Sequence, residues 1–223
     1  MHKQWDAVLF DFDGTLVDSA PDIIAALNRL LGELGHAHVG YESYRTRAGD
    51  GARNLLEQVL NAQGADIAEA EWPALVERLL AHYYEIMTEG TRPYPDVPDI
   101  LAEIHRTGMA LAICTNRTVR TTEHLLAHFG LLEMFGAVLC SDNVSAKKPD
   151  ARHLQEAMQR LGARPERTVM IGDTATDVAA ARNAGIKVVA VSYGYSERPA
   201  ADLGADAVLA DFSELPGLLA RLN

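Results

Sequence analysis

The chain has 223 residues, with 20 Lys and Arg against 31 Asp and Glu for a formal net charge of −11, and it is 48% apolar and 23% charged. Such a length holds one large domain, or a modest one carrying a second small one, and the composition is that of a soluble globular protein rather than a disordered or collagen-like chain. The acidic balance argues against a nucleic-acid partner, which needs a basic face, and no window reaches the roughly 18 apolar residues of a membrane span.

The opening MHKQWDAVLF has one Lys and too short an apolar run before Asp11 for a signal-peptide core, so a cytoplasmic location is expected. Within it, Ala7–Phe10 is a short apolar run bounded by DFDGT, the pattern of a buried parallel strand ending in a loop. Helical patterns follow at Ile23–Leu34, Ala52–Ala62 and Glu71–Thr88, with no convincing strand among them. From there strand-like runs at Met109–Cys114, Ala137–Cys140, Thr168–Ile171, Lys187–Val191 and Ala207–Leu209 are interleaved with helical patterns. Those helices are expected at Val97–Arg106, Val119–Phe129, Ala151–Leu161 and Thr176–Asn183. Alternation of this kind means right-handed crossovers, hence an α/β fold: a Rossmann-like parallel sheet with helices on both faces. The helical stretch that interrupts it reads as an inserted all-α cap. The expected division is a catalytic core of residues 1–16 and 91–223 and a cap of residues 17–90, with hinges near Val17–Ser19 and in Gly90–Pro95.

In an open parallel sheet the ligand lies at the carboxyl ends of the strands, so the polar residues just after each apolar run are the candidates. Asp11 and Asp13 follow the first strand, Thr115 and Asn116 follow MALAIC, Lys147 and Lys148 lie beyond AVLC, and Gly172, Asp173 and Asp177 follow TVMI. At i and i+2, Asp11 and Asp13 would share one side of an extended strand with carboxylates about 6–7 Å apart. One of such a pair can attack while the other handles protons, and Gly14 allows a sharp turn behind them. An Asp or a Gly is common in any turn and an Asp often caps a helix, but neither habit explains several acids on one edge. Carboxylates gathered there repel unless a hard cation sits among them, and oxygen-only ligands suit Mg²⁺.

Taken in order, DFDGTLVDS, ICTN, KKPD and GDTATD resemble the motifs of the haloacid dehalogenase superfamily. The helical insert is similar to that of the subgroup with a small α-helical cap. FDFDGTLVDSAPD, GDTATDVAAARNAG and the late SYGYSE loop most resemble phosphoglycolate phosphatases. The resemblance spans nearly the whole chain. It implies a Mg²⁺-dependent phosphomonoesterase that hydrolyses a small phosphorylated metabolite, 2-phosphoglycolate favoured, through an aspartyl-phosphate. The alternatives are a sugar phosphomutase resembling β-phosphoglucomutase and a phosphatase for another sugar phosphate or pyrophosphate.

By the same resemblance Asp11 is the nucleophile, Asp13 the general acid/base, and Thr115 with the amide of Asn116 the phosphate holder. Lys148 offsets negative charge while Lys147 faces outward. Asp173 ligates Mg²⁺ together with a carboxylate oxygen of Asp11 and the main-chain carbonyl of Asp13, and Asp177 supports that site. The third motif departs from the Gly-Lys-Pro-x-Pro of similar proteins at Lys147 and Ala151. In the cap, the Gly-containing basic segment Arg45–Asn54 offers Arg47 for bidentate pairing with a substrate carboxylate. The expected partner is thus a small metabolite, not a nucleic acid or a membrane, with the chain a monomer or homodimer. A dehalogenase is disfavoured because Asp13 is a proton donor that ester cleavage needs, and a non-catalytic module because no catalytic carboxylate is missing.

Other signals are set aside. GDGARN from Gly49 lacks the third glycine of a dinucleotide fingerprint and follows no strand. His124 and His128 lack a third zinc ligand, Cys114 and Cys140 read as buried thiols, and Tyr193 and Tyr195 read as ordinary loop tyrosines.

Overall fold

The computed structural model describes residues 5–47, 49 and 51–222. In chain order its elements are β1 (Ala7–Phe10), β2 (Val17–Asp18), α1 (Ala20–Glu33), α2 (Tyr41–Arg45), α3 (Ala52–Ala62), α4 (Trp72–Ile86), β3 (Arg92–Pro93), α5 (Val97–Arg106), β4 (Ala110–Cys114), α6 (Val119–His128), β5 (Ala137–Leu139), α7 (Ala151–Leu161), β6 (Thr168–Gly172), α8 (Ala175–Ala184), β7 (Lys187–Val191), β8 (Ala207–Leu209) and α9 (Leu215–Arg221). They form two compact units, residues 1–18 with 93–223 and residues 19–92. β2 and β3, a two-stranded ladder, lie where the chain passes between the two.

The larger unit is a six-stranded sheet of order β5-β4-β1-β6-β7-β8, parallel throughout. Strands enclosed on both faces need apolar residues at every position, and β1 is buried along its whole length. Its alternate side chains serve opposite layers. Leu9 packs with Leu154, Ala157 and Met158 of α7 and with Val178 and Ala181 of α8. Phe10 meets Phe135 edge-on at 6.4 Å and Phe212 at 6.2 Å on the other face, toward the turn that leads into α9. The α/β fold is therefore Rossmann-like, with helices on both faces. Among the described residues no helix is long and apolar enough to cross a membrane.

Differences from the sequence reading are local. α1 starts at Ala20 rather than Ile23, because Pro21 stands in the first helical turn, where its missing N–H is not needed. α9 escapes a periodicity reading because Pro216 and Gly217 sit inside its seven residues. α2 is five residues, too short for a pattern. The third strand run stops at Leu139, since the Cys140 amide donates to the Asn143 side chain (2.7 Å) in a turn.

The smaller unit is helical. α1 packs along α4, burying Leu27, Leu30 and Leu31 from the first and Leu79, Tyr83 and Ile86 from the second. Two loop carbonyl–amide pairs are held by side-chain amides, Val39 by Asn28 (2.8 and 2.9 Å) and Ala37 by Gln63 (2.8 and 2.9 Å). The first and last turns of the unit meet at Asp22, a buried carboxylate that accepts from the amides of Gly90 and Thr91 and from the Thr91 hydroxyl, each at 2.7 Å. Asp22→Ala leaves those donors without their acceptor, and urea unfolding should show a loss of about 2–3 kcal/mol. A loss below about 0.5 kcal/mol, the range of ordinary surface changes, would mean the carboxylate contributes nothing special.

Candidate active site

The strand order places β1 between β4 and β6, so the chain leaves β1 toward one edge and later returns on its other side. At such a switch point the loops diverge and leave a crevice at the carboxyl ends of the strands. The residues that follow these three strands are Asp11, Thr115 and Asp173.

Lys148, in the loop before α7, reaches this edge and is the centre of its charge network. Its Nζ lies 2.9 Å from Asp11 Oδ1 and 2.6 Å from Asp177 Oδ1, with the lysine side chain only 1% exposed. Asn116 fixes the loop: its Oδ1 accepts from the Lys148 amide and its Nδ2 donates to the Lys148 carbonyl, both at 3.1 Å. The Lys148–Pro149 peptide is cis. Asp150 caps α7 by accepting from the Arg152 amide (2.9 Å), and Ala151 is the first residue of that helix, a position where the missing proline is not required. Lys147 is exposed.

Asp177 fulfils two demands at once. While Oδ1 holds the lysine, Oδ2 accepts from the amides of Asp173 (3.2 Å) and Thr174 (3.0 Å) and from the Thr174 hydroxyl (2.8 Å), closing a capping box at the start of α8. Asp173 is fully buried, with Oδ1 accepting from the Thr15 hydroxyl (3.2 Å) and Oδ2 from the Tyr195 amide (2.7 Å). Glycines make this packing possible. A Cβ on Gly14, whose φ of +76° already favours glycine, would lie 2.3 Å from Asp173 Oδ2, and one on Gly172 would lie 2.4 Å from Asp177 Cβ.

Asp13 has a separate cation. Its Oδ1 is 2.6 Å from Nη1 of Arg117, whose guanidinium lies 5.6 Å from the centre of the Phe12 ring. The two carboxylates of the DFD stretch are thus held by different partners. Arg117 is a residue the sequence reading missed, although it directly follows Thr115 and Asn116 after β4 and the same positional rule reaches it. Thr115 is buried, and its hydroxyl accepts from the Arg117 amide (3.3 Å). Tyr195 also differs from expectation: it is buried rather than an ordinary loop tyrosine.

Arg47 belongs to the other unit. There its Nη1 donates to the carbonyl (2.7 Å) and hydroxyl (3.1 Å) of Ser43 and to the Thr46 hydroxyl (2.9 Å). Arg45 pairs with Glu42, and Arg53 pairs with Glu57 and Glu69 while lying 4.6 Å over Trp72. Ala48 and Asp50 of that basic segment lie outside the described residues.

Carboxylate oxygens of Asp11, Asp173 and Asp177 all fall within 4.8 Å of one another. Were all three ionised, one ammonium would leave two negative charges uncompensated in a buried place. Burial, then the Asp177 charge, raises Asp11 to about 7 despite Lys148, and the same causes push Asp173 well above the usual carboxylate range. Burial opposes the charge on Lys148, but Asp11 and Asp177 outweigh it and raise its pKa. Hard oxygen donors carrying excess negative charge are the donor set of a small divalent cation, so these residues fit Mg²⁺.

The model of the haloacid dehalogenase-like hydrolases matches residues 8–191. A phosphoglycolate phosphatase of Caulobacter vibrioides is 39% identical over 94% of this chain and 88% of its own. An N-acetylmuramic acid 6-phosphate phosphatase of Pseudomonas aeruginosa is 36% identical over 96% and 95%. The crystal structure of CbbY from Rhodobacter sphaeroides in complex with phosphate superposes with a TM-score of 0.82 at 29% identity, covering 95% of this chain and 96% of that one. The chain belongs to the haloacid dehalogenase-like hydrolases. Within them it is a phosphatase, a phosphoric monoester hydrolase.

Removing the ammonium from this cluster should be severe. Lys148→Met is expected to cost about 3–5 kcal/mol in chemical unfolding, because it strands buried acids. Lys147→Met, one position earlier and exposed, should stay within about 0.5 kcal/mol, and equal losses from the two would contradict the assigned geometry.

Proposed function

We propose that the protein is a Mg²⁺-dependent phosphatase of a small phosphorylated carboxylic acid, 2-phosphoglycolate favoured, acting through an aspartyl-phosphate on Asp11. The observation that carries this reading is the buried Lys148 bridge between Asp11 and Asp177, beside Asp173 at the switch point of the sheet. Asp11 and Asp173 are the carboxylates that would hold the cation, with Asp177 supporting them. When bound, the ion supplies Lewis-acid polarisation and offsets the charge of the phosphate oxygens.

A phosphomonoester dianion repels an attacking carboxylate, so positioning and charge compensation dominate the reaction. Lys148 neutralises charge on Asp11 as that carboxylate attacks phosphorus and the phosphorus–oxygen ester bond breaks. Thr115 and the Asn116 amide hold the transferring group. Protonated Asp13 gives its proton to the leaving alkoxide. As carboxylate it then takes a proton from the water that attacks the phospho-Asp11, releasing inorganic phosphate and restoring both groups. Arg117, on Asp13 Oδ1, orients this acid toward the leaving group.

Support for the substrate class comes from chemistry shared by the relatives' names: phosphoglycolate and N-acetylmuramic acid 6-phosphate are both phosphate esters of carboxylic acids. A carboxylate reader is then needed, and Arg47 in the helical unit is the candidate, that unit acting as the specificity lid. A cytoplasmic site of action agrees with such a metabolite.

The test is phosphate release from a panel of 2-phosphoglycolate, N-acetylmuramic acid 6-phosphate, sugar phosphates and pyrophosphate, with and without Mg²⁺. The carboxylic acid esters should be turned over fastest. Asp11→Asn or EDTA should reduce release to background, and Mg²⁺ at about 100 times its Kd should stabilise the folded wild type by about 2.7 kcal/mol. Activity surviving Asp11→Asn would refute the nucleophile, and isomer formed without free phosphate would reveal a mutase.

A further inference from the structure

Asp173 must hold its carboxylate in one orientation although it is fully buried among like charges. Two segments do this, each with one hydrogen bond: the turn after β1 through the Thr15 hydroxyl, and the loop after β7 through the Tyr195 amide. These segments are in turn tied to each other by two phenols. Tyr193 donates to the Thr15 carbonyl at 2.9 Å, and Tyr195 donates to Asp18 Oδ1 at 2.8 Å.

The ties are unequal. Tyr193 is half-buried, and its ring also lies tilted against Tyr94, 4.5 Å between centres. Tyr195 is buried to 1% exposure, carries the amide that touches Asp173, and follows Gly194, on which a Cβ would lie 2.3 Å from Asp173 Cβ and 2.6 Å from the Gly14 carbonyl. The loop therefore approaches Asp173 as closely as a backbone can, and the Tyr195 phenol gives it a buried anchor beside the half-buried tie of Tyr193. The anchor is Asp18, in β2 and the last residue before the helical unit.

We propose that Tyr195 and Asp18 form a positioning pair for the divalent cation: their phenol–carboxylate bond presses the Gly194–Tyr195 backbone against Asp173 and fixes the oxygen offered to the ion. Neither residue touches the ion or the substrate. The inference rests on the cation reading above and adds to it residues that control affinity at that site. Outer partners that orient a ligand typically set metal affinity by roughly 10–100-fold. The Tyr195 phenol acts one bond further out, so its effect belongs at the low end.

The experiment is Mg²⁺ titration by calorimetry, with the Mg²⁺-dependent rise in Tm as a second readout, on the wild type, Tyr195→Phe, Asp18→Ala, Asp18→Asn and the double variant Tyr195→Phe/Asp18→Ala. Tyr195→Phe and Asp18→Ala should each raise the Mg²⁺ Kd roughly tenfold. Asp18→Asn, which keeps an oxygen acceptor for the phenol, should stay near the wild-type value. The double variant should be no weaker than either single one, because both remove the same bond. A purely structural role lowers Tm without changing the Mg²⁺ increment, so an unchanged Kd in Tyr195→Phe overturns the inference while leaving the cation reading intact. Absence of Mg²⁺ binding by the wild type overturns both.

Discussion

The structure of the site depends on one buried ammonium. Lys148 contributes a single positive charge to three acids that the chain brings together from β1, from the end of β6 and from the first turn of α8. Burying any of these charges alone is costly, and pairing repays that cost only where the remaining donors and acceptors are also satisfied. The hydrogen bonds around Lys148 meet this condition: Asn116 holds both polar groups of its backbone, and Asp177 uses its second oxygen on three donors at the start of α8. Ionised together, the three acids would exceed the ammonium by two charges, an excess of the size that a divalent ion would offset.

The three close glycines have one physical task in common. Gly14, Gly172 and Gly194 each lie where a Cβ would overlap a carboxylate side chain of Asp173 or Asp177. In sequence, Gly14 reads as a turn residue, which its positive φ bears out, but the space it leaves for Asp173 depends on a residue far along the chain. Gly172 ends a strand and Gly194 sits in a loop, places where glycine attracts no notice. Their function appears only when the sheet brings the acidic loops side by side.

This separates what is legible in the sequence from what is not. Strands β6, β7 and β8 and helices α3, α5 and α7 can be read within a residue, because these strands are short continuous apolar runs and amphipathic helices repeat. The acids at the sheet edge follow from one positional rule. Arg117 and Tyr195 reach partners 104 and 177 residues away, Asp13 and Asp18; the positional rule extends to Arg117, just after β4, but nothing local distinguishes Tyr195 from a solvated loop tyrosine. Short elements such as α2 and the β2–β3 ladder escape for the same reason, being fixed by their surroundings rather than by propensity.

Asp11 and Asp13 show how two identical side chains, two residues apart, become different groups. Asp11 shares a lysine with a second acid in a fully buried pocket, where burial and the Asp177 charge dominate. Asp13 is more exposed and has the Nη1 of an arginine on one oxygen. A carboxylate that attacks needs its charge compensated without losing its lone pairs. One that exchanges protons with the leaving group and water needs access and a fixed direction. Environment can make chemically equal groups behave differently, and here the two differ in burial and in the cation each one meets, lysine for the first and arginine for the second.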